Sequence, residues 1–148
     1  MEFVIGCDHA GFELKNEIIN TFKVRGYNVI DCGTYSEESV DYPDYAESVA
    51  AIVLEKKIPG ILICGSGIGI SIAANKVPGI RAALCTNEYT ARLARQHNDA
   101  NILAIGARIT AAGFALEIVD TFIKTEFEAG RHSKRIEKIH LLEKTERS

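Results

Sequence analysis

The stretch Ile61-Leu-Ile-Cys-Gly-Ser-Gly-Ile-Gly-Ile-Ser-Ile-Ala-Ala-Asn-Lys76 decides the fold of this chain. It begins as an apolar run rich in β-branched residues, passes through the alternate glycines Gly65, Gly67 and Gly69, and ends in small residues. This order predicts a buried strand, a tight loop and the start of a helix. The backbone N–H groups of such a loop converge at the amino end of the helix, where the dipole favours negative charge. The stretch therefore predicts a site for a small anion or a developing oxyanion.

Cys64 is the last residue of the predicted strand and directly precedes the glycines. A thiolate is stabilised at the amino end of a helix, where it can act as a base or a nucleophile. The alternative is that the glycines only permit close packing of the helix on the sheet. The loop lacks the spacing Gly-x-Gly-x-x-Gly of dinucleotide sites and the Gly-Lys-Ser/Thr of nucleotide P-loops. The pattern therefore favours an oxyanion loop beside a base over a nucleotide site.

The bulk composition indicates one globular domain, which we expect to span residues 1–148. Of the 148 residues, 47% are apolar and 25% are charged, and the net charge is −3. This charge gives no general attraction to nucleic acid or to an anionic membrane. We found no targeting signal at the amino terminus and no apolar run of membrane-spanning length, so we expect a cytoplasmic protein. The spacing of the four cysteines argues against a zinc site and a disulfide framework.

Strand and helix patterns alternate five times along the chain. Strands are predicted at 3–7, 27–32, 61–64, 81–86 and 101–106, and helices at 12–24, 45–55, about 68–75, 87–97, 110–127 and 135–143. This alternation predicts an α/β fold, a three-layer αβα sandwich with a doubly wound five-stranded parallel sheet and an extra C-terminal helix. The flavodoxin-like strand order 2-1-3-4-5 fits best. It places the binding crevice between strands 1 and 3, at their carboxyl ends.

Several polar residues are candidates for this crevice, and each has a simpler interpretation. Asp8 and His9 follow strand 1, where they are either a helix cap with a solvated neighbour or hydrogen-bonding and phosphate-binding groups facing Cys64. His97 and Asn98 precede strand 5, at the opposite edge of the sheet. They either end a helix, where the dipole favours histidine, or complete the site of a neighbouring subunit. The sequence pattern leaves both interpretations open.

Arg131 and Arg135 lie one helical turn apart near the carboxyl terminus, and Arg108 follows strand 5. Charged side chains on a terminal helix are usually only solvated. Two guanidinium groups one turn apart also bind a phosphate well, because each can donate two parallel hydrogen bonds. The spacing by itself does not decide between the two.

Seven motifs together give the chain a close resemblance to ribose-5-phosphate isomerase type B, a family that includes relatives acting on allose and galactose 6-phosphates. The match runs in order through Asp8-His-Ala-Gly11, Asp41-Tyr-Pro43, Cys64-Gly-Ser-Gly-Ile-Gly69, Ala73-Ala-Asn-Lys76, Gly79-Ile-Arg-Ala82, His97-Asn-Asp-Ala-Asn101 and Gly130-Arg-His-x-x-Arg135.

The resemblance implies an aldose–ketose isomerase that interconverts ribose 5-phosphate and ribulose 5-phosphate through a cis-enediolate, without a metal or cofactor. Cys64 would move the proton between C1 and C2, and Ser66 with the loop amides would stabilise the enediolate. Asp8 would orient the sugar hydroxyls and His97 would open the furanose ring. The implied substrate contacts are Tyr42 and Asn98 on the sugar, the loop residues Gly65, Gly67, Ile68 and Gly69, and His9, Arg108, Arg131 and Arg135 on the phosphate.

The residue at position 70 assigns the chain to one branch of this family. Another branch replaces the cysteine and uses a glutamate at the position of Ile70, which cannot take a proton. The resemblance also implies a homodimer or tetramer with active sites shared between subunits. The alternatives are an isomerase of a six-carbon sugar phosphate or an unphosphorylated rare sugar, and a non-catalytic phosphate-binding module.

Overall fold

The computed structural model describes residues 1–144, which form a five-stranded sheet flanked by helices. The strands are β1 (Glu2–Cys7), β2 (Asn28–Asp31), β3 (Gly60–Cys64), β4 (Ala82–Leu84) and β5 (Ile102–Gly106). The helices are α1 (Phe12–Val24), α2 (Tyr42–Lys56), α3 (Ile68–Asn75), α4 (Glu88–Asn98), α5 (Ala112–Lys124) and α6 (Arg131–Glu143), and a 3-10 turn at His9–Gly11 precedes α1. Within this part of the chain, every helix is too short or too polar to span a membrane.

The sheet is parallel throughout, and its strand order is β2-β1-β3-β5-β4. Helices α1, α4 and α5 pack on one face, and α2 and α3 pack on the other. The predicted three-layer, doubly wound α/β class is therefore confirmed. The chain changes direction between β1 and β3, which brings the loops after these two strands to one crevice.

The predicted order of the last two strands is wrong. Strand β5 lies beside β3, with Cys64 opposite Gly106, and β4 is the edge strand. All five residues of β5 are buried, whereas β4 has three residues and Leu84 is 38% exposed. Exposing a strand that is apolar throughout costs more free energy than exposing a short strand. Strand β5 therefore takes the interior position.

Two helices begin earlier than predicted, and a third ends later. Helix α2 starts at Tyr42 because Pro43 occupies its first turn, where no N–H needs a partner. Helix α6 starts at Arg131, directly after Gly130, whose φ is +59°. His97 and Asn98 lie in the last turn of α4 and not in a loop, and the helix ends at Asp99 with a φ of +45°. These shifts place several candidate residues at helix ends.

Candidate active site

A cleft of about 480 Å³ opens at the carboxyl ends of β1, β3 and β5. Its lining contains most of the residues that the sequence singled out after strands 1 and 3, but His9 and Gly67 do not line it. It is lined by Asp8, Tyr42, Cys64, Gly65, Ser66, Ile68, Gly69, Arg108 and Ile109.

The Cys64 thiol lies on the floor of this cleft. Its side chain is 4% exposed, and its Sγ accepts a hydrogen bond of 3.2 Å from the backbone N–H of Gly67. Gly67 has a φ of +79°, and a Cβ there would lie 2.5 Å from Leu84 and 2.9 Å from the backbone nitrogen of Gly106. Position 67 therefore requires glycine for both its conformation and its space, and this glycine aims an amide at the sulfur.

The other two glycines of the loop let side chains lie directly against the backbone. A Cβ at Gly65 would lie 2.7 Å from a guanidinium nitrogen of Arg108, and a Cβ at Gly69 would lie 2.6 Å from the Tyr42 ring. The N–H groups of Ala107 and Arg108 also donate to the carbonyls of Cys64 and Gly65, at 2.9 and 3.0 Å. The glycines thus do more than permit helix packing, because the absence of a Cβ lets Arg108 and Tyr42 lie against the loop at the cleft.

The Ser66 hydroxyl contacts the first residue of helix α3, whose N-cap is Gly67. Its Oγ accepts a hydrogen bond of 3.1 Å from the N–H of Ile68, so its proton remains free to be donated elsewhere. Since Ser66 lines the cleft, the hydroxyl can serve a substrate oxygen while it holds the start of the helix.

Asp8 and His9 are held by the turn after β1. Asp8 is 6% exposed, and its Oδ1 accepts from the N–H of Ala10 at 3.0 Å, as a helix cap does. Among residues 1–144, Oδ2 makes no hydrogen bond, so it can accept one from a ligand. The Nδ1 of His9 accepts from the N–H of Val40 at 3.2 Å, which in the neutral ring leaves the proton on Nε2. Both predicted interpretations of Asp8, capping and ligand binding, are compatible with this geometry.

The structure keeps four predicted site residues away from this cleft. His97 and Asn98 end α4, which leads to the amino end of β5 and hence to the opposite edge of the sheet. Arg131 and Arg135 are exposed on the first turns of α6. The His97 ring stacks on His132, with the ring centroids 4.3 Å apart. The candidates therefore fall into two groups within one chain.

Sequence reasoning missed His132 and Glu128, which lie beside His97. His132 follows Arg131 in the quoted Gly-Arg-His motif, and this adjacency was the available signal. It also missed Ile109, which lines the cleft directly after Arg108.

The remaining thiols are structural. Burial raises the pKa of Cys7 to about 12 and also raises those of Cys32 and Cys85. These three groups stay protonated near neutral pH, because a thiolate is poorly solvated in an apolar surrounding. Cys64 is the one cysteine that lines the cleft.

A second cavity, of about 510 Å³, lies at the opposite edge of the sheet and includes Arg81 and Arg95. These guanidinium groups are already engaged, because Arg81 donates to the carbonyl of Asp99 and Arg95 to those of Ala100 and Thr125. Their hydrogen bonds fasten the end of α4, so we regard this cavity as structural.

A buried thiol bonded to a loop amide and a free carboxylate oxygen lie at the direction change of a doubly wound sheet, which is the arrangement of an α/β enzyme that binds a small substrate. The family model described as "Ribose/Galactose Isomerase" matches residues 3–139. Over 143 residues the chain is 50% identical to ribose-5-phosphate isomerase B of Escherichia coli strain K12, covering 96% of each chain. The chain therefore belongs to the ribose/galactose isomerase family, and it is an isomerase.

Solved structures agree with this assignment. Ribose-5-phosphate isomerase B of Clostridium thermocellum superimposes with a TM-score of 0.95 at 58% identity, covering 97% of this chain and 98% of that one. The Mycoplasma genitalium enzyme, solved with bound ribulose-5-phosphate, gives a TM-score of 0.92 at 44% identity, covering 98% and 97%.

Proposed function

We propose that this chain interconverts D-ribose 5-phosphate and D-ribulose 5-phosphate through a cis-enediolate, with Cys64 as the base. The observation that carries the proposal is the Cys64 Sγ on the cleft floor, hydrogen-bonded at 3.2 Å to Gly67 of the glycine loop. The names of the Escherichia coli and Mycoplasma genitalium relatives support the choice of a pentose phosphate.

In the proposed reaction, the Cys64 thiolate removes the proton from C2 of the open-chain aldose. The C–H electron pair forms the C1–C2 double bond, and the negative charge passes to O1. The thiol then returns the proton to C1, while the O2 proton moves to O1 and C2 becomes the ketone. The amide that donates to the sulfur stabilises its anionic form, which the base must adopt before each turnover.

The enediolate needs hydrogen-bond donors that are already in place when its charge develops. The Ser66 hydroxyl and the N–H of Gly69, in the first turn of α3, belong to residues that line the cleft with Cys64, and they supply such donors. The free Oδ2 of Asp8 accepts from a sugar hydroxyl, and the Tyr42 ring forms one side of the cleft. Together these groups hold C1 and C2 next to Cys64.

The phosphate is bound in this proposal by His9 and Arg108 of one chain and by Arg131 and Arg135 of a second. His97, assisted by Asn98 on the sugar, opens the furanose ring by moving a proton between the ring oxygen and O1. Because His97 and Cys64 lie at opposite edges of the sheet, a second copy is needed to bring them together. We therefore propose a homodimer or a tetramer with shared sites.

Exposed apolar side chains at the cleft and elsewhere on the chain support the second copy. Ile68, Ile72, Ile109 and Phe114 are between 54% and 67% exposed, and Ile68 and Ile109 line the cleft itself. Large apolar side chains left exposed beside a binding cleft are typical of a protein interface. A partner seated there would also exclude water from the reacting carbons.

The test is turnover of ribose 5-phosphate by the purified, EDTA-treated protein, with allose 6-phosphate and an unphosphorylated rare sugar assayed alongside. We expect strong activity on the pentose phosphate that EDTA leaves unchanged. Activity on the hexose phosphate or the free sugar alone would keep the chemistry and refute the substrate. A folded protein that turns over none of the three would refute the enzyme role of the cleft.

A further inference from the structure

A second cluster of ligating side chains lies at the edge of the sheet opposite the cleft. One nitrogen each from His97 and His132 and one carboxylate oxygen of Glu128 lie within 4.8 Å of one another. Elsewhere in residues 1–144, no group of three His, Cys, Asp or Glu side chains meets this condition. The grouping is therefore a distinctive feature of the described chain.

Three different segments bring these side chains together. His97 lies in the last turn of α4, His132 lies in the first turn of α6, and Glu128 lies between α5 and α6. The N–H of Glu128 donates to the carbonyl of Gln96 at 3.1 Å. This hydrogen bond ties the segment before α6 to the end of α4, so the ligating groups are arranged before any ligand arrives.

The three side chains have no hydrogen-bond partners within residues 1–144. His132 is 7% exposed, yet its ring makes no hydrogen bond and instead stacks on His97 at an interplanar angle of 14°. The imidazole nitrogens of His97 and His132 are therefore available to a ligand, and a carboxylate oxygen of Glu128 lies within 4.8 Å of one nitrogen of each.

We propose that His97, Glu128 and His132 form a binding site for Zn²⁺, and that zinc bound there inhibits the isomerase. Two imidazoles and one carboxylate are a common set of three protein ligands for zinc, leaving the fourth position for water. In a tetrahedral site with metal–ligand bonds of about 2.1 Å, the ligand atoms lie roughly 3.4 Å apart. Rotation of the two imidazoles out of their stacked arrangement would turn both ligating nitrogens toward one ion and close the cluster.

The surrounding charges select for a nitrogen-binding metal. Arg131 and Arg135 lie near His132 and oppose cation binding. Weak oxygen-preferring ions such as Mg²⁺ cannot overcome this repulsion, whereas Zn²⁺ bonds strongly to imidazole. The carboxyl end of α4 favours positive charge beside His97.

Inhibition rests on the proposed function, because it requires that His97 moves a proton during ring opening. A zinc ion bound to His97 occupies the lone pair that the proton needs. Binding of zinc does not depend on that role, so the two parts of the proposal can be tested separately.

Binding is measured by calorimetric titration of Cys64→Ser protein with ZnCl₂, since this background removes the thiol of the cleft. Co²⁺ absorption in the visible range reports the ligand geometry. We expect one ion per chain, with affinity reduced about tenfold by Glu128→Gln and about a hundredfold by His132→Asn. The control Glu126→Gln removes a nearby exposed carboxylate and should bind as the Cys64→Ser parent does. Absence of saturable binding, or equal affinity in Glu128→Gln and the parent, would overturn the site.

Inhibition is measured on protein that retains Cys64. We expect Zn²⁺ to abolish turnover reversibly, with EDTA restoring it, and Glu128→Gln to need about ten times more zinc while keeping its basal turnover. Equal inhibition of Glu128→Gln and wild type would place the inhibitory ion elsewhere, for example on Cys64, and would overturn the second part. Zinc binding in a protein without isomerase activity would refute the proposed function and leave the zinc site standing.

Discussion

The backbone N–H of Gly67 donates a hydrogen bond of 3.2 Å to the Sγ of Cys64, so the glycine loop and the thiol form one unit. The sulfur is the last side chain of β3, and the amide belongs to the residue before α3. The same turn thus positions the proposed base and the amino end of the helix that stabilises negative charge.

Replacing the base tests this unit directly. We expect Cys64→Ser to lower kcat by about 10²–10⁴-fold, because a hydroxyl is a far weaker base than a thiol at neutral pH. Circular dichroism should show an unchanged fold. Cys32→Ser, directly after β2, is the matched control and should keep its turnover. Near wild-type kcat in Cys64→Ser would remove Cys64 from the mechanism.

Replacing the glycine tests the geometry of the loop. Gly67→Ala introduces a Cβ 2.9 Å from the backbone nitrogen of Gly106 at a φ of +79°, so we expect a loss of about 1–3 kcal/mol of unfolding free energy. The amide would also shift from the sulfur, lowering kcat. Gly113→Ala is the control, since a Cβ there meets nothing within 4 Å and alanine favours the helix. Equal urea midpoints for the two variants would contradict this account.

The phosphate contact predicts a selective effect on substrate binding. We expect Arg135→Ala to raise KM about ten- to a hundredfold with little change in kcat, because a contact kept from ground state to transition state affects binding alone. Steady-state kinetics of Lys134→Ala, one residue away and exposed, should match wild type. A fall in kcat at unchanged KM would assign Arg135 a different role.

Shared sites predict complementation between inactive variants. In a hybrid dimer of Cys64→Ser and His97→Asn chains, one site carries both substitutions and the other carries neither. Random mixing after unfolding and refolding should therefore restore about a quarter of wild-type activity. The pair Cys64→Ser and Asp8→Asn should restore none, since both residues line the same cleft of one chain. Failure of the first pair to exceed the second would place His97 outside a shared site.

His132 predicts a pH dependence of stability. Burial lowers its pKa in the folded state below the ordinary value of 6.5, so the unfolded chain binds the proton more readily. The contribution of neutral His132 to the unfolding free energy is therefore fully present above about pH 6.5 and is lost as the pH falls below that value. Urea titration should show that His132→Asn loses less unfolding free energy than wild type between pH 7.5 and pH 5.5. Parallel curves for the two proteins would contradict the shifted pKa.

Local patterns were sufficient for most of the elements and for the glycine loop that lines the cleft. The apolar run before Gly65 predicted β3, and the alternate glycines predicted a loop that presents amides beside Cys64. Pairing of Asp8 with this loop followed from the βαβ alternation, because parallel strands end at the same edge. These features depend on the order of neighbouring residues, and such order is visible in one sequence.

The order of β4 and β5 and the position of His97 were decided by tertiary structure alone. The greater apolar content of β5 is visible in the sequence, but which strand pairs with β3 depends on the burial of both faces of the assembled sheet. Likewise, His97 meets His132 because α4 and α6 end at the same place, although 35 residues separate them in the sequence. The sequence by itself determined the α/β elements and the thiol loop, through local periodicity and turn chemistry. Only the packed sheet decided which distant side chains share an edge, because that choice depends on how the whole core is buried.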